Sequence, residues 1–244
     1  MVSKIFNLID GQRVHSKGDE VYHSINPSEI NRKAVEYQMA SSIQIESAIE
    51  AAQNAFLSWK KMNMMTRAQI LMNVGRILNE RATELGKIMA EEMGKPISEA
   101  IGEVQYSGKV FQFYASESQR PTGEVLHSGR SNVHYYTKRE PIGVIGAITP
   151  WNFPFSIPSW KIAPALISGN TVVWKPSPQH PYCSQSLINI LLESGIPNGV
   201  VNLLHGTSNV GEQLTHSTNV DAISFTGSTS IGQEVYRKVS NRLG

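Results

Sequence analysis

A single cysteine, Cys183, among 244 residues excludes an internal disulfide framework and fits a reducing compartment such as the cytoplasm. Charge of one sign is also missing. The 22 basic and 20 acidic residues leave a net charge of +2, which gives no electrostatic footprint for nucleic acid or an acidic membrane surface. No apolar run approaches the roughly 18 residues of a membrane span, and "MVSKIFNLIDGQRV" contains no secretory h-region. Repeats and low-complexity tracts are absent. The seven histidines have no metal-ligand spacing, and there is no GxSxG elbow for a hydrolase. "YSGK" at 106–109 has the wrong spacing for the Tyr-x-x-x-Lys pair of a short-chain dehydrogenase. What remains is an ordinary globular composition, 40% hydrophobic, long enough for a substantial core in one large domain or two small ones.

Local signals divide the chain. Asp10-Gly11 inside "FNLIDGQRV" predicts a hairpin, because both positions tolerate positive φ, and "INPSEI" reads as a further turn. Ser41 and Gln44 form a capping box ahead of Ile45, Ala48, Ile49, Ala52, Phe56 and Trp59, which recur at helical spacing. A second helix is predicted from Thr66, capped by Gln69, and ends where Gly94 and Pro96 interrupt it. A third covers about 97–118. Residues 121–141 then change to turn residues and the alternating "NVHYYTKR", either a surface hairpin or an arm that pairs with another subunit. From 142 onward "IGVIGAI", "TVVWK", "VVNLL" and "AISF" alternate with helices near 159–167, 182–193, 209–215 and 229–239. Short, fully apolar strands alternating with helices mean βαβ units, hence an open, doubly wound parallel sheet of the α/β class.

Ligands of such sheets bind beyond the carboxyl ends of the strands. The unusual stretches fall there: "TPWNFP" (149–154), "KPSP" (175–178), "HGTSNVG" (205–211) and "TGSTSIG" (226–232). Gly227 turns strand into helix with Ser228 at the N-cap, so first-turn amides and the helix dipole suit a phosphate; small residues at such a turn also serve steric fit. "GTSNVG" repeats the arrangement, and neither is the GxGxxG fingerprint. Lys175 suits a ribose or phosphate contact, or is a solvated strand end. Asn152, between Pro150 and Pro154, is either a preorganised amide donor for an oxyanion or a turn asparagine bonding its own backbone. Cys183 near a helix start is open to nucleophile activation in principle.

In this order and spacing, "PWNFP", "APALISGNTVVWKPS" and "FTGSTSIG" resemble the NAD(P)-dependent aldehyde dehydrogenase superfamily. The likeness extends over essentially the whole chain, including "SAIEAAQNAFLSWKK" and "EEMGKPISEA". It implies a Rossmann-like cofactor domain over 1–120 and 142–244, an N-terminal helical region, and a protruding oligomerisation arm at 121–141. By the same resemblance Asn152 is the catalytic oxyanion-hole amide, and Ile148, Thr149, Pro150 and Trp151 wall the nicotinamide half of the cleft. Lys175, Ser177 and Pro178 lie at the adenosine ribose, and Gly206 and Gly211 near the adenine. Phe225, Gly227, Ser228 and Ile231 surround the pyrophosphate. Many NAD-preferring members carry a glutamate where Pro178 stands, so both NAD and NADP are expected to be accommodated. Cys183 does not match the family's nucleophile.

The family's "ELGG" base and its nucleophilic cysteine would follow "RKVSNRLG". The resemblance therefore implies the N-terminal half of an aldehyde dehydrogenase, without its catalytic domain and one sheet strand, inactive alone and binding NAD(P) weakly. The competing expectation is a non-catalytic dinucleotide-binding or subunit-interaction module. The substrate expected is a small aldehyde. The wording resembles bacterial enzymes for 2-oxoglutarate semialdehyde (2,5-dioxopentanoate), while "SWK", with Trp160 in place of an arginine, speaks against succinic semialdehyde. No metal, nucleic acid or membrane partner is expected.

Overall fold

The computed structural model describes residues 5–29 and 33–242. Its centre is a six-stranded sheet. Four parallel strands, β7 (Val144–Ile148), β8 (Thr171–Lys175), β9 (Val201–Leu203) and β10 (Ala222–Phe225), run in the order β10-β7-β8-β9. Beyond β9 the sheet continues antiparallel through β1 (Asn7–Ile9) and β2 (Gln12–Val14). The turn joining that hairpin is Asp10 and Gly11, both at positive φ (49° and 73°), as their side chains permit. The parallel part is thus as expected; its antiparallel extension was not.

Alternation along the strands separates two cores. Val172 and Trp174 of β8 face one layer, built from α2 (Met64–Glu80), α3 (Ala82–Met93), α4 (Ile97–Ala115), α5 (Ser156–Ile167) and α6 (Pro181–Glu193). Val173 faces the other, built from α1 (Ser42–Trp59) and α7 (Ser208–His216). The last helix, α8 (Thr229–Ser240), lies outside both cores and buries none of its side chains. Its sheet partner β10 is an edge strand and only half buried.

Several boundaries differ from the sequence reading. The Ser41–Gln44 capping box opens α1 as predicted, but α2 begins at Met64, not Thr66, because the Asn63 side chain accepts the Met65 amide at 2.8 Å. The chain breaks at Arg81 into two helices, and α3 ends on Gly94 in the left-handed region (φ 68°). After α4 a 3-10 turn covers Ser116–Gln119. Helix α5 starts three residues before the predicted Ser159. No side chain of its own caps it; a carboxylate from α4 does, as described below. A second hairpin, β3 (Val21–Ile25) with β4 (Lys33–Gln38), flanks "INPSEI". The Asn26 side chain accepts the Ser28 amide in that turn, and Ile30 lies outside the described residues. At 121–141 a short hairpin, β5 (Val125–Leu126) with β6 (Tyr135–Tyr136), projects with nearly every side chain exposed.

Leu166, wholly buried in α5, and Ile43, 75% exposed in α1, make a test of where the stability lies. Leu166→Ala is expected to lower the unfolding free energy by about 2–5 kcal/mol. Ile43→Ala is expected to change it by less than about 0.5 kcal/mol in the same urea titration.

Candidate functional site

The parallel strands deliver their ends to one edge, where a groove of about 260 Å³ opens. Ile148, Thr149 and Pro150 line it from the end of β7, and Lys175 from β8. Gly211 lines it from α7, Phe225 from β10, and Gly227, Ser228 and Ile231 from the turn into α8. Lys175 and Ser228 thus share one groove. Thr207, Glu212, Thr215, Glu234 and Lys238 also line it, and the sequence reading missed them. Lining residues recur three or four apart, Ser208, Glu212 and Thr215 along α7 and Ile231, Glu234 and Lys238 along α8, and that spacing is the signal that would have found them.

Two helices open onto the groove. Ser228 caps α8 by accepting the Ile231 amide at 3.4 Å. Thr207, the N-cap of α7, makes no such bond; its hydroxyl donates to Glu20 at 2.7 Å. First-turn amides of α7 are therefore not occupied by their own cap. Gly227 is required sterically: a β-carbon there would come within 2.5 Å of the Phe225 ring. At Gly211 a β-carbon would lie 3.8 Å from Ile148 and from the Lys175 side chain, in ordinary contact but inside the groove.

Other expected contacts lie off the groove. Gly206 is buried, and a β-carbon there would sit 2.0 Å from Val210, so its smallness serves packing with α7. Ser177 and Pro178 turn away from the groove. The Ser177 hydroxyl accepts the Gln179 amide at 3.4 Å, and the Pro178 carbonyl accepts the Tyr37 hydroxyl at 2.6 Å, which draws this segment toward the β3–β4 hairpin. Trp151 lines a separate cavity of about 240 Å³ with Tyr22, Glu92 and Gln179. Asn152 is exposed in the turn that follows Pro150 and does not line the groove.

Beneath the edge is a cluster of buried polar groups. Lys175 is 8% exposed; its ammonium donates to the Gly206 carbonyl at 3.0 Å and to Pro176 O at 3.1 Å. Burial pulls it down to about 8, with Glu20 acting in the opposite sense. Two carbonyl partners and an adjacent groove leave the ammonium one more proton to donate. His180 is held near 4 by burial and stays neutral. The Pro150 carbonyl, 3.1 Å from Nε2, can only accept, so Nε2 carries the proton, while Nδ1 lies 3.1 Å from the Ser184 hydroxyl, which donates to the His180 carbonyl at 3.0 Å. His205, also wholly buried, stands edge-on to Tyr37, and neither ring nitrogen has a partner among the described residues. Burial lowers it to about 3.

Glu92 caps α6 by accepting the Tyr182 and Cys183 amides at 2.7 and 2.8 Å, and burial raises it to about 7. Cys183 is fully buried, and burial together with Glu92 pushes its thiol well above the ordinary value. A thiol so placed is not a nucleophile. Among the described residues no group of three His, Cys, Asp or Glu is arranged to hold a metal ion, and no helix is long and apolar enough to cross a membrane.

A doubly wound α/β sheet with its groove at the strand ends, flanked by two helix N-termini, defines the class of the protein. Residues 14–244 match the aldehyde dehydrogenase family, and the chain belongs to it. A curated relative, 2,5-dioxopentanoate dehydrogenase of Saccharolobus solfataricus, is 36% identical over 230 residues, covering 94% of this chain and 48% of the relative. Betaine aldehyde dehydrogenase from Staphylococcus aureus, solved in complex with NAD+, superposes with a TM-score of 0.94 at 29% identity, covering 98% of this chain and 48% of that one. An NADP-dependent enzyme of E. coli superposes at 0.95 with 32% identity, covering 99% and 50%. The chain spans about half the length of the curated relatives it matches.

The buried histidines fix an acid response. A histidine whose folded value is depressed from 6.5 stabilises the fold above that pH, and the contribution is lost as pH falls toward the folded value. Between pH 7 and 5 each is expected to remove about 2 kcal/mol. Glu92, raised from 4.5, acts in the opposite sense over the same window. His205→Phe keeps the ring against Tyr37 and deletes two unpartnered nitrogens. Urea titrations at both pH values should show the variant losing about 2 kcal/mol less than the parent on acidification.

Proposed function

We propose that this chain is the dinucleotide-binding part of an NAD(P)-dependent aldehyde dehydrogenase, and that the groove between α7 and α8 receives the coenzyme. The observation that carries this is the convergence of Lys175, Gly211 and Ser228 on one groove from the end of β8, from α7 and from the turn into α8. Lys175 donates to the adenosine ribose with the proton its two carbonyl partners leave unused. Ser228 and the opening amides of α8 take the pyrophosphate, where the helix dipole favours negative charge. Gly211 keeps the floor clear, and Ile148, Phe225 and Ile231 supply apolar walls. The fit is consistent on these points: donors for hydroxyls, an anion site, and a floor that a side chain would fill.

When bound, the nicotinamide ring accepts hydride from the substrate. The turn after β7 serves that end. Trp174 Nε1 donates to Thr149 Oγ1 at 3.0 Å and His180 holds Pro150, so the wall has a fixed backbone. Asn152 donates from its side-chain amide to the oxygen that gains charge during attack on the carbonyl. The attacking thiolate is not Cys183, which is buried and kept protonated.

The substrate is an acidic semialdehyde such as 2,5-dioxopentanoate, in line with the substrate named for the Saccharolobus relative. Trp160, 45% exposed and edge-on to Tyr106, stands where an arginine would receive the carboxylate of succinic semialdehyde. Pro178 presents no carboxylate to a 2′-phosphate, so NADP is accommodated as well as NAD. Exposed Val125 and Tyr136 on the 121–141 hairpin serve as a contact between copies of the subunit. The compartment is the cytoplasm.

Isothermal titration of the 244-residue chain with NAD+ and NADP+ tests the groove. Gly211→Leu, which replaces a helical glycine with a better helix former, is expected to abolish binding without lowering thermal stability. Retained binding would sink the assignment of the groove. The same chain incubated with aldehyde and NAD(P)+ is expected to form no NAD(P)H; turnover would overturn the reading of Cys183.

A further inference from the structure

The turn at 150–156 carries Asn152, and the half-buried Lys95 and the buried Glu103 fix its backbone at three further points besides the His180 bond to Pro150. The ammonium of Lys95 donates to the Asn152 carbonyl at 3.1 Å. It also lies 4.2 Å from the centre of the Phe153 ring, a cation–π distance. Its principal partner is Glu103 Oε2, at 2.6 Å. The other oxygen of Glu103 accepts the amides of Phe155 and Ser156 at 3.1 and 3.2 Å, where the turn becomes α5.

Both side chains are withdrawn from solvent, Lys95 at 14% and Glu103 at 4% exposure. An ion pair taken out of water loses solvation that its mutual attraction alone seldom restores. Here each charge has further partners: two amides for the carboxylate, a carbonyl and a ring face for the ammonium. All of them belong to residues 152–156. The pair is therefore aimed at this one turn. Its placement follows from the chain path, since Gly94 ends α3 in the left-handed region and puts Lys95 at the corner before α4, which carries Glu103. Capping of α5 needs Glu103 only. Lys95 adds the bond to Asn152, the residue to which the proposed function assigns the oxyanion contact.

We propose that Lys95 and Glu103 are positioning residues that lock the 151–155 turn, and with it Asn152 and the nicotinamide wall, in the shape the reaction requires. This rests on the assignment of that turn to the nicotinamide end in the proposed function.

Hydrogen exchange of the turn and coenzyme titration test it together. Lys95→Met keeps the stem and removes the donors. Amides of 151–156 are expected to exchange about tenfold faster or more in this variant, the loss of one charge-assisted hydrogen bond, while those of β8 and β9 keep the parent rate. NAD+ affinity should fall about tenfold, with the affinity for ADP-ribose, which lacks nicotinamide, unchanged. Lys95→Arg, which retains charge and donors, should restore both. Unchanged exchange in Lys95→Met overturns the proposal, as does a rise spread evenly over all strands with equal loss of both ligands. Should Lys95→Met fail to fold, Glu103→Gln, which still offers an oxygen to the α5 amides, is read by the same criteria. If the parent binds no NAD+, the proposed function fails, and the exchange result still decides whether Lys95 and Glu103 hold the turn.

Discussion

Parallel strands joined by helices leave the sheet through one edge, and everything functional in this chain follows from that geometric constraint. Each strand end must give its backbone polar groups new partners before the next helix begins, and the residues chosen are those that turn sharply or cap. Where side chains are small, as at Gly211, the edge stays open as a groove. Where they are large, as at Gly206 beneath Val210, a glycine closes it by close packing. The same residue type thus serves opposite ends five residues apart, at Gly206 and Gly211.

An open edge lets water and ligand approach the sheet, so the layer beneath has to carry its polar groups already satisfied. Lys175 lies against two carbonyls, His180 stays neutral between Pro150 and Ser184, and Glu92 is spread over two amides of α6. Three of these bonds, to Pro150, Pro176 and Gly206, end on backbone carbonyls of the strand-end loops. They hold the loops in place without reaching into the groove, which leaves the groove's own donors free for a ligand. His205 is an exception, a buried ring with two nitrogens that no group among the described residues meets.

How much of this could be read from the sequence depended on whether the partner was near in the chain. The four parallel strands, the Ser41–Gln44 box and the Asp10-Gly11 turn are local events, and the sequence reading found each of them. Lys175, Gly211, Gly227 and Ser228 were recognised because strand-end motifs of this order and spacing have a family likeness, and the groove gathers them. What escaped was non-local. The true start of α5 depends on Glu103, 52 residues from Phe155 in sequence. The inward turn of Ser177 and Pro178 depends on Tyr37, 141 residues from Pro178. Asn63 was missed for a different reason: it is an ordinary cap, but Thr66 and Gln69 offered a more conspicuous pattern just after it.

The two walls of the groove are not equally supported. Helix α7 rests on the sheet through Val210 and Leu214, both fully or nearly fully buried. Helix α8 has no fully buried residue; Val235 and Val239 are half-buried, Lys238 pairs with Glu212 of α7 at 3.5 Å, and Arg242 just beyond the helix donates to the Ser217 carbonyl. An exposed ion pair contributes little, about 0–1 kcal/mol. The strong side of the groove is therefore the one formed by β7, β8 and α7, and it holds Lys175 and Gly211. The weak side holds Ser228 and Ile231. A molecule spanning both would add to α8 the contacts that the helix lacks, so binding and ordering of that wall are coupled. In the proposed reading, affinity for a dinucleotide is then set less by the donors already in place than by how much of α8 must be fixed to complete them.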